Sequence, residues 1–400
     1  MRILSLTAQK PDSTGSGVYL TELVRGFAAL GHEQAVLCGT VAGEEICLPA
    51  GVQVYPVYYN SPKLPFPVCG MSDEMPYEST RYRDLSEAMT RQLMTAFRHT
   101  LTQAVGEFQP DVILCHHLYF LAALARQMFP EIPVFGQCHG SDLRQLATNA
   151  WQGDWIKEEI RDLDGIFALH EAQKKQICDI FDIPPGWVTV VGTGYNSGVF
   201  FRDEAEKARK NSEKFRFIFA GKLSEKKGVY SLLRCLGNLE KPEKMHLLLA
   251  GGCGSDAELE KLKAMAAECP AQVTFLGKLD QKTLAGHMNR SDAFILPSFY
   301  EGLPLVLIEA MACGLRTICT DLPGIRPWLN KALPENGTIF VTPPEMRNTD
   351  EPLPESLPDF EMRLARAMDD APGASLPDKQ QVAALSWDAL CGKLIQIFRR

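Results

Sequence analysis

Apolar residues in this chain come mostly as short β-rich runs separated by stretches with helical spacing. Residues 2–6 read as a first strand. Leu20, Leu23, Val24, Phe27 and Leu30 then repeat as one face of a helix that Gly31 closes. Further strands are expected at 33–38, 111–116, 133–139, 165–170 and 188–191, with helices at 83–108 and 118–129 between them. The Pro-rich segment 60–69 interrupts this pattern and reads as an exposed loop. A charged stretch at 202–214 reads as a linker, after which the alternation restarts with strands at 216–221, 245–251, 273–277, 293–297, 317–320 and 338–341. Helices are expected at 256–269 and 305–313, a second Pro-rich loop at 343–358 and a closing helix at 382–398. Strands alternating with helices predict parallel sheets covered on both faces. The chain is therefore expected to be α/β, with two Rossmann-like domains over 1–200 and 201–381 and the helix 382–400 returning to the first. Ligands of such sheets sit beyond the C-terminal strand ends, so two facing domains predict a deep cleft with its chemistry in strand-to-helix turns.

At 400 residues, two domains are the default, and 46% hydrophobic with 22% charged residues is ordinary for a globular protein. A net charge of −8 argues against nucleic acid as a partner and against strong attraction to an anionic membrane. Twelve scattered cysteines without a Cys-x-x-Cys pair read as buried thiols in a reducing compartment. The apolar start at 1–6 is too short for a signal peptide, and no apolar run reaches the ~20 residues needed to span a bilayer. A cytoplasmic protein is expected, peripheral to a membrane at most.

The most informative stretch is Pro297-Ser-Phe-Tyr-Glu301-Gly-Leu-Pro-Leu-Val-Leu-Ile-Glu309-Ala-Met-Ala-Cys-Gly314. Glu301 falls at a strand-end turn and Glu309 on the helix behind it. A carboxylate there can accept hydroxyl hydrogen bonds from a ribose. The amides of Leu303, Leu305 and Val306 fall at a helix N-terminus, which suits an anion. By spacing alone, two glutamates around an apolar helix are as easily solvated surface groups. Ala220-Gly221-Lys222-Leu-Ser-Glu-Lys226-Lys227-Gly228 ends another strand and carries either phosphate-binding cations or a solvated turn. Gly15-Ser16-Gly17 is a tight turn or a phosphate-approach loop. His139 closes an apolar strand at the expected cleft edge, and His116 and His117 close the preceding one. These last two could line an acceptor, with the loop 59–82; no third ligand joins them to suggest a metal. Asp162-Leu163-Asp164 precedes a strand and reads as a helix-end turn. Gly251-Gly-Cys-Gly254 lacks the Lys-Ser/Thr of a phosphate loop and lets backbone pass near a base or diphosphate.

The 297–314 string closely resembles the donor-site signature of glycosyltransferase family 4, retaining enzymes with the B-type fold of two facing Rossmann-like domains. The similarity covers nearly the whole chain and is strongest in its second half. It implies a nucleotide-diphosphate sugar donor, with Glu301 against the donor sugar and Glu309 on the ribose. The 220–228 element is similar to the family's diphosphate-holding glycine-arginine and lysine-glycine pair, with Lys222 in place of the arginine and Lys227 as the lysine. That exchange keeps the charge and loses the bidentate fork. The resemblance further places Gly17 and Gly221 at the diphosphate and His139 beside the donor sugar. Gly192-Thr-Gly-Tyr-Asn196 matches the family's Pro-Asn-Gly-Val-Asp element, departing from it at Thr193 and Asn196. A UDP-linked sugar is the expected donor. No cofactor and no metal are expected, because the two lysines and helix-terminal amides can meet the leaving-group charge. The acceptor, whether small molecule, glycan or lipid, is not named by the sequence. A sugar-nucleotide epimerase on the same fold and a non-catalytic nucleotide-sugar-binding protein stay open as alternatives. A nicotinamide dehydrogenase is the weakest rival, since no acidic residue is well placed after the 15–17 turn.

Overall fold

The computed structural model describes every residue except Asp12, Glu74, 210–212, Thr349 and Arg400. The chain forms two compact units, Met1–Thr193 together with Trp387–Arg400, and Gly194–Ser386. The division falls earlier than the expected 200/201 because Tyr195 and Phe200 are buried in the second unit's core. The stretch 202–214 is correspondingly more than a linker. Its helix Glu204–Ala208 is capped by the Asp203 carboxylate, and the Asn289 side chain accepts from Asp203 N and donates to Phe201 O. Residues 210–212 of that stretch lie outside the described residues. The expected closing helix is two helices, Lys379–Ala383 and Trp387–Phe398, and the chain leaves the second unit between them.

In the first unit, seven parallel strands run β1 (Arg2–Thr7), β2 (Glu33–Val41), β3 (Gln53–Tyr59), β4 (Val112–His116), β5 (Val134–Gln137), β6 (Gly165–Ala168) and β7 (Val188–Val190). Their order is β3-β2-β1-β4-β5-β6-β7, so the chain reverses its direction of progress between β1 and β4. Every residue of β4 and β5 is buried, as expected of inner parallel strands covered on both faces. β3 is absent from the expectations because Pro56 interrupts its run. An edge strand tolerates that proline, since one side of its backbone pairs with nothing. The segment 60–69 is not simply an exposed loop. Leu64, Phe66, Val68 and Cys69 are buried in the core, while Pro62, Lys63 and Pro65 face solvent. Helix α1 (Gly15–Ala29) buries Leu20, Leu23, Val24 and Phe27, whereas Leu30 caps its C-terminus and is 47% exposed.

The second unit has six parallel strands, β8 (Phe215–Ala220), β9 (Met245–Ala250), β10 (Gln272–Gly277), β11 (Ala293–Leu296), β12 (Arg316–Thr320) and β13 (Ile339–Val341). Their order is β10-β9-β8-β11-β12-β13, with the reversal between β8 and β11. The helix Leu357–Asp370, missing from the expectations, begins inside the second Pro-rich segment. Pro358 sits in its first turn, where a missing N–H costs nothing. Among the described residues no helix is long and apolar enough to cross a membrane.

Candidate functional site

The sheet reversal in the second unit opens a gap beyond the ends of β8 and β11, the place where parallel sheets hold ligands. The loop after β8 carries Gly221, Lys222 and Lys227; the loop after β11 carries Glu301. Close backbone packing stitches the two loops together. Gly228 adopts φ +70°, and a Cβ there would lie 2.0 Å from the Pro297 carbonyl oxygen, so only glycine fits. Phe299 N–H also donates to Lys226 O at 3.0 Å. Lys227 Nζ is thereby brought 2.7 Å from Glu301 Oε1, which also accepts from the buried Ser298 hydroxyl at 2.7 Å. Lys222 is exposed and lies over the loop 251–254, where a Cβ on Gly254 would come within 3.9 Å of its Nζ. That loop approaches the end of β8 so closely that a Cβ on Gly251 would sit 1.7 Å from Gly221 O. The neighbouring Lys226 instead pairs with Asp350 at 2.9 Å.

Glu309 is the fifth residue of α2 (Leu305–Ala312), about one turn inside the helix and half-buried. Burial, with the nearby Glu309 carboxylate adding to it, pushes the Cys313 thiol up to about 12. The N-cap of α2 is Pro304, which offers no side-chain acceptor, so the first-turn amides of Leu305 and Val306 lack a capping side chain. Leu303 is buried just ahead of them. Such a terminus carries a partial positive charge suited to an anion.

In the first unit the equivalent reversal, between β1 and β4, gathers α1 and three histidines. The glycines at 15–17 form the first turn of α1 and not a separate turn. Gly17 N–H donates to the N-cap Thr14 hydroxyl at 3.2 Å, so this amide, expected at the diphosphate, is already engaged. Gln9, almost fully buried, donates to both Thr14 and Ser16 hydroxyls and braces that turn. His116 and His117 are buried at the end of β4, and His139 lies two residues beyond β5. His116 Nδ1 is 3.2 Å from His139 Nε2, and the His117 and His139 ring centroids are 4.9 Å apart. Burial pushes all three imidazoles toward the neutral form, His116 down to about 3 with some help from His117. The loop carrying His139 is held by Asp142, a buried carboxylate that accepts from the backbone N–H groups of Leu118, His139, Gly140 and Leu143. Asp142 had no signal of its own in the sequence beyond following His139-Gly-Ser. Asp164 of the Asp-x-Asp pair accepts from Val134 N and Arg126, a structural role. Among the described residues no group of three His, Cys, Asp or Glu is arranged to hold a metal ion.

Residues 13–198 match the family described as Glycosyltransferase Family 4, and residues 200–350 match Glycosyl transferases group 1. The chain belongs to glycosyltransferase family 4. This glycosyltransferase is 22% identical over 347 residues to a glycogen synthase of Mycobacterium tuberculosis, covering 81% of this chain and 79% of the relative. Its fold is similar to sucrose-phosphate synthase from Thermosynechococcus elongatus, with a TM-score of 0.68 and 17% identity over 100% of this chain and 98% of the other. It is also similar to Anabaena Alr3699/HepE, solved with UDP and glucose, with a TM-score of 0.62 and 15% identity over 100% and 97% of the two chains. The glycosyltransferase thus has the B-type fold of two Rossmann-like domains. Family members of this kind move sugars from nucleotide-sugar donors to sugar or glycan acceptors.

Proposed function

We propose that the protein is a metal-independent, retaining glycosyltransferase that uses a UDP-linked sugar. The observation that carries this reading is the Lys227–Glu301 pair at the sheet reversal of the second unit. It sets a cation suited to a diphosphate beside a carboxylate suited to sugar hydroxyls. Lys227 and Lys222, with Gly221 allowing close backbone approach, hold the diphosphate, and the amides of Leu303, Leu305 and Val306 add positive potential. Glu309 holds the ribose, and Glu301 orients the donor sugar; the family likeness assigns His139 to the donor sugar. Gly17, through its helix turn, belongs to the diphosphate side, and His116 and His117 to the acceptor side. UDP is favoured by the family likeness, and the Anabaena neighbour was solved with UDP and glucose. Twelve cysteines, most of them buried, support a reducing, cytoplasmic setting.

In the reaction the acceptor hydroxyl oxygen bonds to the anomeric carbon on the face from which the diphosphate departs. The bond from that carbon to the diphosphate oxygen breaks, and this oxygen takes the acceptor's proton. Charge accumulating on the leaving group is met by the lysines and the helix terminus, which need no reorganisation as the bond breaks. A calorimetric screen of nucleotide sugars followed by assay with metabolite extracts tests the reading. The expected product from an α-linked donor carries an α linkage, seen in its anomeric proton coupling by NMR. A β product, or activity abolished by a chelator and restored by magnesium, refutes the proposal.

A further inference from the structure

The contact between His116 and His139 carries more than proximity. Their rings are nearly parallel, at 17°, and the nitrogens 3.2 Å apart can share only one proton between two neutral imidazoles. The surroundings fix both rings. Tyr19 packs edge-on against each, and its own hydroxyl bonds to Gly192 O and Gln137 Oε1. Asp142 anchors the backbone of His139, while the neighbouring His117 holds φ +79°, a strained conformation for a non-glycine residue. His116 is 2% exposed, and its far nitrogen, Nε2, is buried with no hydrogen-bond partner among the described residues. That orphan atom decides which way the shared proton points. If His139 donated, His116 would carry its proton on Nε2 as a buried N–H without an acceptor, the rarer and costlier omission. If His116 donates from Nδ1, only a bare nitrogen is left unpaired. His139 then accepts through Nε2 and carries its own proton on Nδ1.

We propose that His116 is a positioning residue that fixes the ring and tautomer of His139, so that His139 meets the donor sugar as an Nδ1–H donor to oxygen and not as a base. This rests on the reading of His139 as a donor-sugar contact. The neutral state that burial enforces on both rings is consistent with it.

Long-range proton–nitrogen NMR of the full chain with labelled histidines reads the tautomer directly, and only eight histidines contribute. His139 is assigned by its loss in His139→Asn. The expected wild-type spectrum shows Nδ1–H on both His116 and His139. His116→Phe, which keeps a ring but no donor, should convert His139 to a mixture of tautomers. It should weaken UDP-glucose binding about 2–10-fold, the worth of one hydrogen bond, and leave UDP binding unchanged. His116→Asn, whose amide can stand in for Nδ1–H, should recover part of that loss. An Nε2–H tautomer on wild-type His139, or equal losses of UDP and UDP-glucose affinity in His116→Phe, overturns the proposal. A spectrum with the stated tautomers in which saturating UDP-glucose leaves the His139 signals unmoved refutes the donor-sugar contact while sparing the His116–His139 coupling.

Discussion

Glu301 sits between a lysine ammonium and a serine hydroxyl, and each of these neighbours has its own consequence. Removing Lys227 leaves a largely buried carboxylate with one neutral donor, in addition to removing a cation from the diphosphate. Lys227→Ala or Lys222→Ala should lower turnover by on the order of 10²–10³-fold, as for other lost transition-state donors. Single-turnover assays with and without magnesium check this, and magnesium should not rescue either variant. Glu309 lies deeper on its helix and contacts a different part of the donor under the proposed reading. Glu309→Ala should raise the UDP dissociation constant by the equivalent of about 1.5–3 kcal/mol, the range for a hydrogen bond to a charged group. Glu301→Ala should chiefly depress turnover, because the sugar is then misplaced. Calorimetry on Glu309→Ala showing unchanged UDP affinity would remove the ribose assignment.

The elements that build the site do so through backbone approach, and glycine is what allows it. Gly228 ends the short turn after β8 in the left-handed region and lies against Pro297 at the end of β11. Gly228→Ala must both strain the backbone and push the two strand-end loops apart. It should cost at least about 2 kcal/mol in urea denaturation, and UDP affinity should fall with it, because Lys227 and Glu301 ride on the separated loops. Retained stability and affinity would mean that the stitching is not what positions the pair. In the first unit, Asp142 plays the corresponding part with a side chain. Its two oxygens accept from four backbone amides across the ends of β4 and β5. Asp142→Asn presents an NH₂ where acceptors are needed and should destabilise the fold by about 1–3 kcal/mol.

Over the whole molecule the buried histidines tie stability to pH. Unfolded histidine titrates near 6.5, whereas burial holds the folded-state value of His116 at about 3, with His117 and His139 also lowered. Between those limits the unfolded chain binds more protons, so stability rises with pH there. The contribution is fully present above about pH 6.5 and is lost progressively as pH falls toward 3. Each such histidine adds a slope of up to about 1.4 kcal/mol per pH unit within the window. Urea midpoints at pH 7 and pH 5 should therefore differ, and His116→Phe should shrink the difference. An unchanged pH dependence in that variant would show that His116 is protonated without penalty in the fold.

The sequence by itself determined the α/β class, most of the strands and the family, because these rest on local periodicity and on a short contiguous string. Runs such as 112–115 are apolar throughout, since both faces of an inner parallel strand are covered, and that is legible without coordinates. The 297–314 string held Glu301, Glu309 and the helix start together within a single turn and helix. Pro56 and Pro358 hid an edge strand and a helix start, because proline breaks a pattern wherever it occurs but breaks structure only where its N–H is needed. The pairing of Lys227 with Glu301, the clustering of His116, His117 and His139, and the anchoring by Asp142 were decided only by tertiary structure. Each joins residues on separate strand-end loops. Strand order sets which loops become neighbours, and it follows from how the sheets pack rather than from any local run of residues.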